Sequence, residues 1–369
     1  MRCALVILNW NTKAYLQRFL PPLLDSAKGL AEVVVADNCS SDGSAEMMEA
    51  DFPGVRLLRF DRNYGFTGGY NKAFKELRAA PGGESLEYFL LLNSDIEVTP
   101  GWLEPLLEWM DSHPGCAVCG PKLLSYQNRS FFEYAGAAGG FLDYLGYPFC
   151  RGRVLGKVEK DEGQYDSPSR VFWVSGACLL ARAADYESSG GLDERFFAHF
   201  EEIDLCWRLL LQGREVCVVP QSKVYHLGGG TLPKSSPMKA RLNFRNSLLA
   251  LENNLAKTLA TNYLDEGISG DAAAELACRK ARRLLLLRRF LDILAALAYL
   301  LTGKVKWFRA VLDARKEFRA LRSGIVNEEV LRYARAAEEI SPVELYPRSI
   351  VLASLLKGKR IFAFLRETL

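Results

Sequence analysis

A chain of 369 residues has room for one large domain or two ordinary ones, and its 49% hydrophobic and 25% charged content is that of a folded protein, not a disordered one. The formal charge of +3 hides an uneven distribution: residues 276–322 carry about 13 Lys and Arg against 3 Asp and Glu, so the remainder is mildly acidic. Nine cysteines follow no framework spacing. Cys116 and Cys119 form a CxxC, but no second pair completes a zinc site, and the run reads as a short strand ending at Gly120-Pro121. Free thiols imply a reducing compartment.

Residues 1–8 lack the long apolar core and small-residue cleavage site of a signal peptide and read as a first strand, ending at Asn9-Trp10-Asn11. A helix is expected over about 14–28. Residues 32–36 form a second buried strand, ending at Asp37-Asn38-Cys39-Ser40-Ser41-Asp42. A short helix and a third strand over 55–60 follow. They lead into Asp61-Arg62-Asn63-Tyr64-Gly65-Phe66-Thr67-Gly68-Gly69-Tyr70-Asn71, which opens a helix to about residue 80. Its glycines let backbone approach a ligand, although the spacing is neither a Walker nor a dinucleotide fingerprint.

The stretch over 88–98 is the most telling. A continuous apolar run reads as a strand buried on both faces, and it ends abruptly in Asn93, Ser94 and Asp95. Strands alternating with helices imply βαβ units and a largely parallel sheet, with ligands bound at the strands' carboxyl ends. Asp95 either caps the turn before Thr99-Pro100-Gly101 or holds a hard divalent cation against a diphosphate. Asp37 either closes its own turn or accepts from a pyrimidine imide or a ribose.

Residues 125–170, aromatic and punctuated by glycine, look like a variable loop over a site. Residues 171–182 read as a strand pair or bent strand. Spacing predicts a helix over 201–212 with Gly213 as its stop, placing Glu201, Glu202 and Asp204 in or near its first turn. The helix dipole alone favours acids there, but an exposed carboxylate beside a site makes a general base. A late strand spans 215–220. His226 then precedes Gly228-Gly229-Gly230-Thr231, and a neutral imidazole there can bind a divalent metal. The pattern turns helical from residue 240, with a linker at 262–272. The leucine-rich run over 282–301 is interrupted by Arg288, Arg289 and Asp292, which suits an interfacial helix with basic flanks better than a transmembrane span. The bland reading is a helix packed on the body or on a second copy.

Taken in order, the segments at 6–11, 35–44, 62–71, 91–95, 175–178, 190–208 and 226–231 resemble bacterial family 2 glycosyltransferases, in particular the rhamnosyltransferase-like branch with a GT-A fold. The resemblance covers roughly residues 1–235. It implies a Rossmann-like, mostly parallel α/β sheet flanked by helices, with a nucleotide-sugar half over about 1–98 and an acceptor half over about 99–235. Residues 236–369 would form a helical extension associated with the inner face of the cytoplasmic membrane.

The activity implied is inverting transfer of a sugar, rhamnose as a first guess, from a dTDP- or UDP-linked donor to a glycan or lipid-linked acceptor, using Mg2+ or Mn2+. Asp95 matches the last residue of the family's DxD-type metal motif, with Asn93 where the first Asp would stand. His226 matches a further metal ligand, and Asp37 the base-binding acid. Glu202 matches the catalytic base, with Asp204 as the alternative. Asn9, Asn11, Asn38, Ser40, Arg62, Asn63, Gly65, Gly68, Gly69, Asn71 and Ser94 fall in the segments expected to line the donor site. The chain has no QxxRW motif, so addition of one or a few residues is expected rather than processive synthesis. No nucleic-acid partner is expected. A sugar nucleotidyltransferase would need a basic, Gly-rich loop after the first strand, where Asn9-Trp10-Asn11-Thr12 stands. A non-catalytic glycan-binding protein would not need Asp95, Glu202 and His226 together.

Overall fold

The computed structural model describes residues 1–228, 236–337 and 340–368; Gly229, Gly230 and Thr231 of the expected glycine loop lie outside the described residues. The first part of the chain alternates strand and helix: β1 (Cys3–Asn9), α1 (Lys13–Ala27), β2 (Glu32–Asp37), α2 (Ser44–Asp51), β3 (Arg56–Arg59), α3 (Gly65–Ala79) and β4 (Tyr88–Leu92). Successive residues of a strand face opposite ways, and here both faces are covered. Ala4, Val6, Phe89 and Leu91 pack with Tyr70 and Phe74 of α3, while Cys3, Leu5, Ile7 and Leu90 pack with Leu16 and Leu20 of α1. β1 pairs with β2 in parallel, Asn9 opposite Asp37, and with β4 in parallel, Ile7 opposite Leu92. These registers bring three strand ends level, so Asn9, Asp37 and Asn93 leave the sheet along one edge.

The chain continues through β5 (Ile96–Val98), α4 (Glu104–Ser112), β6 (Cys116–Ser125), β7 (Gly140–Leu142), β8 (Pro148–Cys150), β9 (Arg153–Val154), β10 (Lys157–Val158), β11 (Ser169–Arg170), β12 (Cys178–Arg182), α5 (Ala183–Ser188), α6 (Glu201–Leu210) and β13 (Glu215–His226). Among the described residues nine strands form one sheet in the order β11-β13-β6-β12-β4-β1-β2-β3, with β5 pairing with β13 off that path. β12 runs antiparallel to both β4 and β6; β4-β1-β2-β3 are parallel on one side of it, while on the other β6 and β13 are parallel and β11 and β5 pair antiparallel with β13, so the sheet is mixed overall. The late strand expected at 215–220 runs on to His226, and its register against β6 slips between Val219 and Lys223. Pro220 lies in that slip and has no amide to give to the ladder.

The expected loop over 125–170 is ordered. It carries a second sheet, β10-β9-β8-β7, among the described residues. Its order comes from long-range contacts that leave no period in the sequence. Lys122, fully buried on β6, donates to both Asp161 oxygens at 3.0 Å and also to Asp166, pinning the far end of the stretch. Gly140 lies against the Trp173 indole so closely that a Cβ would sit 2.0 Å from the ring.

The helical part comprises α7 (Pro237–Asp265), α8 (Gly270–Leu301), α9 (Val305–Leu321), α10 (Asn327–Ala336), α11 (Ile350–Lys357) and α12 (Ile361–Arg366). The linker expected at 262–272 shrinks to 266–269. Nothing in Asn262-Tyr263-Leu264-Asp265 breaks a helix, and the turn comes only at Gly267, at φ +81°, whose amide donates to the Leu264 carbonyl. These helices share a core with the sheet: Leu248, Leu255, Ala277 and Phe318 cluster with Leu205 and Trp207 of α6. The Trp207 ring meets Phe172 edge-on at 5.4 Å, and its Nε1 donates to Thr258 Oγ1 at 2.7 Å. α11 and α12 pack on Phe149 and Val154 of the small sheet. Lys157 Nζ meets the Ser354 and Gly358 carbonyls at 2.9 Å, at the negative end of α11.

Gly140→Ala forces the Trp173 ring off its seat. It is expected to lower unfolding free energy by about 2 kcal/mol or more, as overpacking does. Urea titration followed by tryptophan fluorescence measures this, and an unchanged midpoint would show that the ring has room to move.

Candidate active site

The edge formed by β1 and β2 is held by one amide. Asn9 is buried, and its Nδ2 lies 2.7 Å from Asp37 Oδ1, 3.0 Å from Ser40 Oγ and 2.7 Å from Ser44 Oγ. The Ser40 amide donates to Asp37 Oδ2 at 3.0 Å, so the carboxylate is oriented on both oxygens while each keeps a further lone pair. Asn11, at φ +55°, accepts from the Ser41 amide, and Asp42 accepts from the Lys13 and Ser44 amides. These bonds hold the Asp42 carboxyl below its usual range, against a burial that pushes it up.

Asn38 ties this edge to the next loop. Its Oδ1 accepts from the Tyr64 amide and its Nδ2 donates to Asn63 Oδ1 and the Gly65 carbonyl, each at 2.9 Å. The Arg62 guanidinium lies over the Tyr64 ring. The glycines of this loop face protein as much as open space. A Cβ on Gly69 would sit 2.7 Å from Leu8, one on Gly68 would sit 3.2 Å from Tyr64 Cβ, and Gly65, at φ +72°, abuts Phe197. Asn71 is turned away from the β1–β2 edge: its side chain bonds the amide and carbonyl of Leu192 and the Tyr186 hydroxyl.

At the end of β4, the Asn93 amide donates to the Ala177 carbonyl at 2.9 Å, and Asn93 and Ser94 are half-buried. Asp95 is buried. Its Oδ1 lies 3.2 Å from His226 Nε2 at the end of β13, and its Oδ2 accepts from the Gly228 amide at 3.2 Å. Glu133, which the sequence did not single out, lies 3.5 Å from the other ring nitrogen of His226. An isolated acid in the aromatic run Phe131-Phe132-Glu133-Tyr134 was the one available signal. Burial pulls His226 down, but Asp95 and Glu133 outweigh it and hold the imidazole up at about 10. Burial pushes Asp95 up, and His226 outweighs that to leave its carboxyl below the usual range.

These residues suit a divalent cation. Among the described residues no three His, Cys, Asp or Glu groups converge on one point, because Asp95 and Glu133 lie on opposite ring nitrogens of His226. Asp95 and His226 Nε2 do face each other at 3.2 Å, a separation two ligands of one small ion can keep once the imidazole gives up its proton. Oxygens of a bound diphosphate would supply the rest of the shell.

The acids of α6 fall into two environments. Asp204 is fully buried and fully bonded: Arg208 Nε reaches Oδ2 at 2.7 Å, while Asn253 and Asn254 donate to Oδ1 at 3.1 and 2.8 Å. Glu201 is buried and Glu202 half-buried, and each has an enclosed Oε2 without a hydrogen-bond partner among the described residues. Burial pushes both carboxyls above the usual range; Glu202 adds to the effect on Glu201. Backbone amides, Gly176 among them, and the Lys239 charge restrain the shift of Glu202. Gly176 also lies against Phe66 and Glu202, so residues 175–177 connect the Asn93 strand end to the start of α6.

The approach to α6 is unusual backbone. Phe197, His199 and Phe200 have φ of +63°, +70° and +75°, a region costing about 1–3 kcal/mol for each side chain bearing a Cβ. The Phe197 carbonyl accepts from the Phe66 and Thr67 amides at the start of α3, so the strained turn also caps the helix behind the glycine loop.

A sheet whose strand ends gather Asn9, Asp37 and Asn93, with acids presented from a helix beyond β12, defines a GT-A type glycosyltransferase fold. Residues 4–171 match the model described as glycosyl transferase family 2. The chain is 30% identical over 230 residues to N-acetylglucosaminyl-diphospho-decaprenol L-rhamnosyltransferase of Mycobacterium tuberculosis, an overlap of 60% of this chain and 74% of that protein. In three dimensions it resembles S. aureus TarS 1-349 in complex with UDP-GlcNAc, with TM-score 0.51, 16% identity, and 92% of this chain and 88% of that one covered. It also resembles GalNAc-T7 with UDP, GalNAc and Mn2+, with TM-score 0.52, 16% identity, and 73% of this chain and 52% of that one covered. The chain belongs to glycosyl transferase family 2, on its rhamnosyltransferase-like branch, and is a glycosyltransferase.

The raised acids set a pH dependence. Below the unfolded value of 4.5, Glu201 is protonated in both states. As pH rises, the unfolded chain releases that proton and the folded chain keeps it, so this group takes stability away until pH reaches its folded value. Glu201→Gln is therefore expected to raise the melting temperature at pH 7 and to flatten the decline that begins above about pH 4.5. Calorimetry from pH 4 to 8 measures both, and a lower midpoint at pH 7 would contradict the uncompensated burial of this acid.

Proposed function

We propose that this glycosyltransferase is inverting and metal-dependent, moving a sugar from a dTDP- or UDP-linked donor to a hydroxyl of a cell-envelope or lipid-linked glycan. Rhamnose is the favoured sugar. The carrying observation is the contrast within α6: Asp204 is closed by three donors, whereas Glu202 has a free oxygen and a raised affinity for a proton. A hydroxyl is a poor nucleophile, and a carboxylate poised in this way takes its proton in the transition state. The acceptor oxygen bonds to the anomeric carbon as the carbon–oxygen bond to the diphosphate breaks; the electron pair leaves with the nucleoside diphosphate and the proton rests on Glu202. One displacement inverts the centre and needs no enzyme nucleophile.

Asp37 is suited to accept from a pyrimidine imide or ribose, because Asn9 and Ser40 orient its carboxylate without using every lone pair. Asp95 and His226 are the residues to hold Mg2+ or Mn2+, which when bound neutralises charge gathering on the leaving diphosphate. Asp204 acts in this reading by fixing α6, not by touching substrate. The donor half is assigned to about residues 1–98 and the acceptor half to about 99–235.

The carboxyl-terminal helices fit a membrane surface. No described helix is long and apolar enough to cross a membrane. In the second half of α8, however, one ion pair is turned inward. Arg288 and Asp292 are buried against each other at 3.1 Å, with Arg288 also bonding the Leu145 carbonyl and Ser247. Leu286, Phe290, Leu294, Leu297 and Leu301 face outward, at 45–87% exposure. Exposed Arg282, Arg283, Lys304, Lys306 and Arg309 flank that stripe. An apolar face with basic flanks suits the inner, anionic leaflet of the cytoplasmic membrane, where a lipid-linked acceptor would be met.

Glu202→Gln is expected to bind UDP or dTDP normally and to lose about 100-fold or more in kcat, as removal of a general base does. Asp95→Ala is expected to abolish metal-dependent turnover. Stopped assays of nucleoside diphosphate release, with dTDP-rhamnose and UDP-sugars as donors, measure both. Full turnover in Glu202→Gln together with loss in Asp204→Asn would move the base to Asp204.

Replacing Leu286, Phe290, Leu294 and Leu297 by Ser is expected to reduce binding to phosphatidylglycerol-containing vesicles by about 10-fold or more, given about 1.5–3 kcal/mol for each large apolar side chain buried. Vesicle co-sedimentation decides the matter. Equal binding by the variant would remove the membrane reading, and a concentration-dependent dimer that the variant loses would assign the face to a second copy.

A further inference from the structure

The base sits just beyond the strained turn, and the turn is held from a distance. Left-handed φ at Phe197 and His199 swings the carbonyls of Phe196, Ala198 and His199 toward one point. Asn246 of α7 occupies that point. It is fully buried, and its Nδ2 lies 3.0, 2.8 and 2.6 Å from the three carbonyl oxygens. Converging carbonyl dipoles repel one another unless a donor stands between them, and a buried carbonyl without a donor is costly.

The amide of Asn246 is itself oriented. Arg245 Nε donates to its Oδ1 at 2.8 Å, which turns Nδ2 toward the carbonyls. Arg245 also donates to the Phe196 carbonyl at 2.6 Å, and Glu317 of α9 accepts from its Nη1 at 2.9 Å. A chain of polar contacts thus runs from Glu317 through Arg245 and Asn246 to the turn. The Phe200 carbonyl then accepts from the Asp204 amide and opens the first turn of α6, which carries Glu202.

We propose that Asn246, oriented by Arg245 and Glu317, is a positioning residue for the catalytic base: it holds the left-handed turn at 197–200 that aims Glu202. The helical part of the chain is then a component of the catalytic machinery as well as a docking surface. This inference rests on Glu202 being the base.

The test uses the full-length protein and nucleoside diphosphate release from whichever dTDP- or UDP-sugar the native chain turns over. Asn246→Ala is expected to lower kcat by about 30- to 100-fold, the scale of an ångström-level misplacement. Donor KM and the dissociation constant for free UDP or dTDP should stay within about two-fold, because Asn246 bonds the Phe196, Ala198 and His199 carbonyls and not the Phe197 carbonyl that caps α3, nor any residue of the β1–β2 edge. The double variant Glu202→Gln/Asn246→Ala should be no slower than Glu202→Gln alone, since a residue that acts through another adds nothing once the other is gone. Thr258→Val, which removes the bond to Trp207 in the same α6–α7 interface, serves as a matched structural loss and should keep kcat within about two-fold.

A kcat loss in Asn246→Ala no greater than in Thr258→Val, or multiplicative losses in the double variant, overturns the proposal. Glu317→Gln, at a partly exposed side chain, covers the case in which Asn246→Ala does not fold. It should lower kcat about three- to ten-fold with KM unchanged, and an unchanged kcat counts against the proposal. If Glu202→Gln itself keeps full turnover, the base assignment has failed; if it does not and Asn246→Ala does, the positioning role alone has failed.

Discussion

A carboxylate taken out of water has to be paired, hydrogen-bonded or protonated, and this site is laid out by which of these each acid receives. Asp95 is paired, with His226 on one oxygen and the Gly228 amide on the other. Asp204 is paired and hydrogen-bonded until it has nothing left to offer. Asp37 is hydrogen-bonded but not closed. Glu201 and Glu202 receive neither full pairing nor full solvation, and burial drives both toward the protonated form. The proposed roles of these acids differ because their surroundings differ; side-chain chemistry alone would make Glu202 and Asp204 near equivalents.

The helices after residue 236 are bound into that arrangement. Asn253 and Asn254 of α7 complete the shell of Asp204, Thr258 fixes the indole of Trp207, and Asn246 collects the carbonyls of the turn before α6. α7 packs in turn on α8 and α9 within the same apolar cluster as the sheet. The second half of α8 then turns an ion pair inward and leucines outward. A buried ion pair is no strong source of stability, because desolvation offsets much of its attraction. Arg288 does fix the rotation of α8, through the Leu145 carbonyl and Ser247, and that rotation sends the leucines outward.

The strand-end edge was legible in the sequence because a doubly covered strand is an unbroken apolar run, and the polar residue that ends it marks the edge of the sheet. Asp95 and Asp37 were found in that way, whereas the acids of α6 were read from the helical spacing over 201–212 and its stop at Gly213. The roles of glycines were not legible. Gly69 and Asn71 look like parts of a ligand loop, yet one makes room for Leu8 and the other ties α3 to Leu192 and Tyr186. A missing Cβ looks the same in sequence whether it admits a ligand or a side chain. Glu133 and the small sheet were hidden because contacts such as Lys122 with Asp161 join residues with no shared period. Arg288 and Asp292 were read as breaks in an apolar run, although their i,i+4 spacing already put them on one face.

Asn93 is the departure from the expected two-acid motif, and the electrostatics give it a reason. Asp95 already stands against one nitrogen of His226 and Glu133 against the other, so acids gather at this corner before any cation arrives. On the proposed reading it must receive a diphosphate. An aspartate at 93 would add a further acid beside Asp95; asparagine keeps the shape and the polar contacts without the charge. Its backbone amide meanwhile fixes Ala177, one residue from Gly176, whose own backbone helps hold Glu202. The strand end before Asp95 and the helix start that carries Glu202 thus share one short link at 175–177. On the proposed reading this link ties the leaving-group side of the site to the base, as a displacement that synchronises proton removal with departure requires.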